Sequence, residues 1–373
     1  MMGKPALKRI EVFGDPYERG CQYGAQAEGR IRRCIEVYQG IFETYAGWDW
    51  EQVTEHASTY VPAIQRYREH LLDEMRGIAG GAGLALDDVL ALNVRTEVMF
   101  AAVVRSAAKE CTALAALPGA TASGHTLLAQ NWDWKPDAGE TLVILEAKPD
   151  RGPAFVTVVE AGLLAKTGLN SAGIGLVTNA LVSDDDRGEP GVPYHVILRA
   201  ILESERASQA LDAITRRRRS SSANYLIGHR DGEALNVEVA PGDYSRVFVT
   251  FPDDGVLGHT NHFVSPRFGL KDVGAWDGPD SLIRLRRAER LLEARRGELD
   301  VDALGEVLSD HFSCPDSVCA HPDDSVKPVE QYATLFSIIM DLESASIWVA
   351  AGNPCSCAYE QLDVAFLRDV NRS

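Results

Sequence analysis

Apolar positions in the first hundred residues recur mostly at helical spacing. Residues 8–14 are the exception. There Arg9-Ile-Glu-Val-Phe alternates polar and apolar and ends at Gly14-Asp15-Pro16, which predicts a short strand. Over residues 17–45, Ile31, Ile35, Tyr38, Ile41 and Phe42 mark one face of a long helix. Gly20 and Gly24 lie four apart on it, a spacing that lets a second backbone approach closely. A second helix is predicted over residues 63–78, breaking in Gly77-Ile-Ala-Gly-Gly-Ala-Gly83. No strand leads into that run and no Lys-Ser/Thr follows it, so it reads as a helix end and a turn, not a nucleotide loop. Asp87 is placed to cap a third helix carrying Leu90, Leu92, Val94 and Val98.

After Cys111 the pattern changes to strands: 112–117, 126–131, 142–147, 154–160, 167–170 and 174–179, with a hairpin turn at Asn170-Ser-Ala-Gly173. Two amphipathic helices follow over 195–205 and 207–217, the second opened by Ser208. Strands resume at 224–228, 234–240, 245–250 and 257–260. Helices are predicted over 281–296 and 301–311, and strands over 332–341, 346–350 and 361–366. Strands, a helix pair, strands, helices, strands is an α+β order. It suits antiparallel sheets packed face to face with helices outside.

The 373 residues are 45% hydrophobic and 24% charged, a globular profile. A net charge of -17 argues against nucleic acid or an anionic membrane as partner. The one basic cluster, residues 216–219, reads as a solvated helix end. No apolar run is long enough for a membrane span, and the N-terminus shows no signal peptide, so a cytoplasmic protein is expected. Seven cysteines, an odd count with no regular spacing in a long chain, argue against a secreted disulfide framework.

Candidate chemistry concentrates between Lys109 and Trp134. Cys111-Thr112 opens the β-rich region, and Gln130-Asn131-Trp132-Asp133-Trp134 closes the second apolar run. A hairpin between them returns the chain to its start and can bring Asp133 near Cys111. Trp132 and Trp134 are expected to pack on either side of Asp133 and limit its solvation.

The Cys-Thr pair, the Gln-Asn-Trp-Asp run and later motifs, in that order, resemble the isopenicillin N acyltransferase family of N-terminal nucleophile (Ntn) hydrolases. The resemblance extends from about Gly14 to the final strand. It implies a four-layer αββα sandwich with a mainly helical N-terminal pro-segment. It implies a precursor that cuts itself between Glu110 and Cys111, giving segments 1–110 and 111–373 that stay associated. Cys111 would be the nucleophile, with its own α-amino group as base, a group whose reference pKa of about 7.7–8.0 suits that task. Asp133 would belong to the active centre. Asn261, in Gly258-His-Thr-Asn-His262, would stabilise the oxyanion. Asn179 would be a pocket residue, while Glu238 and Thr334 match the family pattern but read as structural. The substrate would be a small N-acyl amide or acyl thioester.

Two departures stand out. The penicillin-acylating members carry Arg-Gly where this chain has Gln331-Tyr332, which removes a partner for a carboxylate-bearing substrate, and they carry Gly where this chain has Glu110. No cofactor or metal is expected. His259 and His262 are three apart but not on a helix, and read as positioning their loop; the Cys314/Cys319/His321 and Cys355/Cys357 groupings fit no standard zinc spacing, so their cysteines read as ordinary thiols. The rival readings are a Cys-His hydrolase without self-cleavage, with His125, His259 or His262 as base, and a binding protein of the same fold.

Overall fold

The computed structural model describes residues 7–102, 111–265 and 269–369. Strand β1 (Lys8–Gly14) leads into helices α1 (Pro16–Ala46), α2 (Trp50–Ser58), α3 (Val61–Ala82), α4 (Leu86–Asn93) and α5 (Arg95–Ala101). The β-rich part then runs β2 (Thr112–Ala116), β3 (Leu127–Trp134), β4 (Leu142–Pro149), β5 (Phe155–Glu160), β6 (Thr167–Asn170) and β7 (Ile174–Ala180). Helices α6 (Tyr194–Leu202) and α7 (Ala207–Thr215) interrupt it before β8 (Ala223–His229), β9 (Glu233–Val239), β10 (Val247–Thr250) and β11 (Val256–His259). The chain closes with α8 (Val273–Asp277), α9 (Asp280–Ala294), α10 (Val301–Leu308), β12 (Ala333–Asp341), β13 (Ser346–Ala350), β14 (Glu360–Leu362) and α11 (Phe366–Asp369). It is an α+β protein.

The strands form two sheets. One has eight strands in the order β1-β4-β5-β6-β7-β8-β9-β10, the other six in the order β11-β2-β3-β12-β13-β14. Pairing is antiparallel except between β1 and β4, which run parallel from Lys8↔Val143 to Gly14↔Pro149. Residues before Cys111 thus supply an edge strand to a sheet otherwise built from residues after it. The sheets meet where β2 and β3 pack on β7 and β8. Gly175 and Gly228 are register partners there. A Cβ on Gly175 would lie 2.6 Å from Leu342 Cδ2, so the missing side chains make room for Leu342 and Leu128 to enter from the facing sheet. Helix α6 lies against β6 and β7, while α9 lies against β11 and α10 against β3 and β12.

Helices α1 and α3 touch backbone to backbone. A Cβ on Gly24 would sit 2.1 Å from the Ile78 carbonyl oxygen, and one on Gly77 would sit 2.2 Å from that of Tyr17. The Gly20/Gly24 spacing is therefore a packing device. Two buried charge clusters tie these helices to the rest. Glu74 pairs with Arg19 at 2.8 Å and with Arg199 of α6 at 2.9 Å. Glu160 of β5 pairs with Arg95 at 2.7 Å and accepts the Tyr38 hydroxyl at 2.5 Å. Removing one member of such a cluster strands a buried charge, at a cost of about 3–5 kcal/mol.

Several local expectations need correction. Helix α2 was not predicted; Asp49 and Gln52 form a capping box that starts it. The predicted third helix is two, α4 and α5, broken at Val94 (φ -115°, ψ 16°). Asp87 lies in the first turn of α4, and Asp88 is the side chain that reaches back to the Ala85 N–H, at 3.1 Å. Helix α7 begins after Arg206, so Ser208 lies inside it. Helix α10 stops at Leu308, three residues short. Strand β10 is shorter than predicted because a 3-10 turn precedes it, and β14 ends at Leu362 where the chain turns toward α11. Strand β3 continues through Asp133 to Trp134.

Candidate active site

The β2–β3 hairpin pairs Thr112 with Asn131, so the start of β2 lies beside the end of β3. Cys111 immediately precedes β2, is 2% exposed, and has φ 76°. That is left-handed backbone, unfavourable for a residue with a side chain. Its N–H donates to the Asp133 carboxylate. Its carbonyl oxygen accepts from Asn179 Nδ2 at 3.2 Å and from Arg284 Nη1 at 3.0 Å. Both polar main-chain atoms of one strained residue are thus held by side chains from β3, β7 and α9. Glu110, on the other side of the expected cut, lies outside the described residues.

Asp133 is buried on β3 and accepts the Thr334 hydroxyl of β12 at 2.6 Å. Burial raises its pKa to about 6, against the opposing pull of Arg284, Thr334 and the Cys111 N–H. The flanking tryptophans do not sandwich it. Strand period two turns Trp132 and Trp134 to the opposite face, where Lys166 lies over the Trp132 ring and Trp134 meets Tyr332.

Asn261 follows β11 and is fully buried. Its Nδ2 donates to the Ala180 carbonyl at 3.1 Å, and its Oδ1 accepts from Arg284 Nη2 at 3.0 Å. A carboxamide nitrogen carries two N–H groups, so one bond to Ala180 does not exhaust it. Asn179 donates to the carbonyls of Cys111 and His259, at 3.2 and 3.3 Å, and accepts from Asn224 Nδ2 at 3.1 Å. Its amide is committed to main chain.

Arg284 was not singled out from the sequence, yet it links the whole group. One guanidinium, 3% exposed, reaches the Cys111 carbonyl, the Thr112 hydroxyl and Asn261 Oδ1, while its Nε pairs with Asp280 at 3.0 Å. Helix α9 aims it. The first turn of that helix also supplies Ser281, whose Oγ accepts the Asn261 N–H at 2.7 Å. The Asp280/Arg284 i,i+4 pair was the available sequence signal, but Arg286 and Arg287 follow it and mask which arginine is buried. Thr334 also belongs to the site, through Asp133.

The histidines are placed otherwise. His259 Nε2 bonds Glu238 at 2.8 Å and its Nδ1 bonds the Thr260 carbonyl at 2.8 Å. Glu238 further accepts the N–H groups of Val264 and Ser265, so it organises this loop. His262 Nδ1 contacts Ser281 Oγ at 2.8 Å, and burial lowers its pKa to about 4. His125 sits at the far end of the β2–β3 hairpin, paired with Asp341 at 2.9 Å, roughly 15 Å of strand from Cys111. Of the two residues that depart from the resemblance, Gln331 bonds the Asp323 carbonyl and Tyr332 lies under Lys135 Nζ at 3.8 Å.

A main-chain nitrogen and carbonyl gripped around a thiol residue suit acyl chemistry. A profile of the acyl-coenzyme A:6-aminopenicillanic acid acyl-transferase family matches residues 120–356, more than half of the chain. The chain belongs to that family and is an enzyme of acyl transfer or amide hydrolysis. It is 27% identical to the 40 kDa form of acyl-coenzyme A:6-aminopenicillanic-acid-acyltransferase from Emericella nidulans, over 93% of both chains. It is 24% identical to an uncharacterised protein of Archaeoglobus fulgidus, over 92% of this chain and 63% of that one. Among solved structures, a variant of conjugated bile acid hydrolase from Clostridium perfringens superposes with a TM-score of 0.49 at 15% identity, covering 69% of this chain and 94% of that one. At that level it adds nothing to the assignment.

Proposed function

We propose that this enzyme matures by cutting itself before Cys111 and then uses that cysteine as nucleophile on a small N-acyl substrate. The observation that carries the reading is the double hold on Cys111: its N–H on a buried carboxylate, its carbonyl on Asn179 and Arg284, its φ in the left-handed region. In this reading the two sheets, with α6 and α7 on one side and α9 and α10 on the other, are the αββα sandwich of the Ntn hydrolases. Residues 1–110 become the small chain and 111–373 the large one.

In maturation the Cys111 sulfur adds to the carbonyl carbon of Glu110 and gives its proton to Asp133. The tetrahedral oxyanion collapses, the C–N bond breaks, and the nitrogen takes up the proton. Water then cleaves the resulting thioester, releasing the Glu110 carboxylate and a free Cys111 α-amine beside Asp133. In turnover that amine accepts the thiol proton as sulfur attacks the substrate carbonyl. The second N–H of Asn261 meets the oxyanion. The departing amine takes the proton, and water or another amine collects the acyl group from the thioester. Asn179 acts as a positioning residue for Cys111, and Arg284 supports both Cys111 and Asn261. A cytoplasmic setting fits seven cysteines with no disulfide among them.

The test is intact mass beside a denaturing gel. Purified protein should give fragments of about 12 and about 29 kDa from the 40.6 kDa chain, the larger beginning Cys-Thr-Ala-Leu. Cys111→Ala should stay whole. Wild-type protein that turns over N-acyl substrates as one full-length chain sinks the proposal. Screening the cleaved enzyme against N-acyl amines and acyl thioesters identifies the acyl group.

A further inference from the structure

Away from Cys111, four side chains widely separated in sequence converge at the edge of the six-stranded sheet. His311 lies in the loop after α10, Cys319 and His321 lie further along that loop, and Cys355 sits in the turn after β13. One ligand atom from each lies within 4.8 Å of every other. The two sulfurs of Cys319 and Cys355 are 3.6 Å apart. His321 Nε2 lies 3.6 Å from Cys319 Sγ and 3.5 Å from Cys355 Sγ, and 3.0 Å from His311 Nε2.

Those four separations, with the other two within 4.8 Å, are of the size of the edges of a small tetrahedron. With Zn–S near 2.3 Å and Zn–N near 2.0–2.1 Å, a tetrahedral centre needs about 3.8 Å between sulfurs, about 3.6 Å between sulfur and nitrogen, and about 3.3 Å between nitrogens. The sulfurs are much too far apart for a disulfide, whose bond is about 2.05 Å. We propose that His311, Cys319, His321 and Cys355 form a Cys2His2 site for a tetrahedral divalent cation of the zinc class. Binding displaces one proton from each thiol, so two thiolates neutralise the ion. All four positions are filled by protein, which makes the site structural rather than catalytic.

The surroundings fit that role. Asn353 Nδ2 points at Cys319 Sγ from 3.5 Å and bonds the Ala320 carbonyl at 2.6 Å, an outer contact of the kind that orients a metal thiolate. The loop before it is anchored by Asn131 Nδ2, which donates to the carbonyls of Leu308 and Val318 at 2.8 Å each. The metal would clamp this loop to the turn after β13. Ala320, between Cys319 and His321, exchanges hydrogen bonds with Thr334, both at 3.0 Å.

The experiment measures metal in untagged full-length protein, prepared with zinc and then passed through a weak chelator. About one zinc per chain should remain, and cobalt substitution should give visible tetrahedral d–d bands with a thiolate charge-transfer band in the near ultraviolet. Cys355→Ser and His311→Ala change exposed ligands and should lose the metal. Cys314→Ser and Cys357→Ser should keep it. Should Cys319→Ser fail to fold, the exposed-ligand variants and the wild-type cobalt spectrum still decide. Less than about a tenth of a zinc per chain, equal retention in Cys355→Ser, or a Cys319–Cys355 disulfide in anaerobically prepared protein overturns the proposal.

Discussion

The main-chain nitrogen of Cys111 donates to the Asp133 carboxylate across the open end of the β2–β3 hairpin. This contact separates two stages of the proposed chemistry. While the chain is intact that nitrogen is an amide and cannot take a proton, so the carboxylate must serve the thiol. Once it is an amine, the carboxylate need only hold it. Asp133→Asn keeps the shape and removes the charge. It should slow maturation severely, while protein that does mature keeps part of its turnover. A time course of precursor loss, set beside activity per mole of cleaved enzyme, checks this. Cleavage at wild-type speed would refute it.

In the proposed chemistry, Thr334 should tune the acid side of the pH profile of self-cleavage. Asp133 titrates near 6, and the Thr334 hydroxyl holds it below where burial alone would put it. Self-cleavage, which in the proposed chemistry needs the carboxylate ionised, should therefore slow as pH drops through about 6. In Thr334→Val the donor is gone, the Asp133 pKa rises, and the acid limb of the self-cleavage rate should move to higher pH. Thr334→Ser restores the hydroxyl and should move it back. An unmoved limb in Thr334→Val would detach Asp133 from that titration.

Asn261→Ala removes the proposed oxyanion donor. kcat should fall by about a hundred- to a thousandfold with KM little changed, because the contact strengthens in the transition state. The measurement is steady-state kinetics on the cleaved variant, with circular dichroism to show that the fold survives. A loss confined to KM would reassign Asn261 to ground-state binding.

Glu97 gives a pH effect on stability apart from the site. It is fully buried; its Oε1 accepts the Tyr194 N–H at 2.7 Å and the Ser221 hydroxyl at 2.8 Å. Burial raises its pKa from 4.5 to about 7. The native state then keeps this proton to higher pH than the unfolded chain, so its ionisation costs stability as pH rises from about 4.5 to 7. Glu97→Gln can keep both bonds and removes that cost. The variant should gain on the order of 3 kcal/mol over the parent at pH 8 and clearly less at pH 5. Urea unfolding in a Cys111→Ala background, whose chain should stay whole, reads the difference. Equal gains at the two pH values would exclude a titration of Glu97.

Much of the fold was legible because apolar period and turn residues are local signals. Residues 8–14 and 174–179 needed nothing more, and the hairpin from Cys111 to Asp133 followed from a Pro-Gly and a Ser-Gly between two apolar runs. What escaped was set by tertiary placement. A helix as short as α2 carries little periodicity, so its capping box was the main signal. Strand β3 runs on to Trp134 because β12 pairs beside it, from Ala333↔Trp134 onward, and only then does period two separate Asp133 from its tryptophans. Nothing in Arg284-Leu-Arg-Arg287 says which arginine turns inward. The His311, Cys319, His321 and Cys355 group has no spacing signature, because β12 and β13 lie between its third and fourth members.

Strand β1 gives the proposed cut a particular character. Its pairing with β4 is formed while both belong to one polymer, and a break before Cys111 would rename that pairing as a contact between subunits. Such subunits would never have met by diffusion. Their shared surface needs no steering charge and no power to reject strangers. It can include features that a searching partner could hardly carry through water: the bare apolar edge of Ile10 and Val12, and the Arg95–Glu160 pair that is buried on both sides. Halves made separately would have to desolvate those charges in the act of finding each other. The order of manufacture, assembly first and division afterwards, would then be as much a part of the molecule as its coordinates.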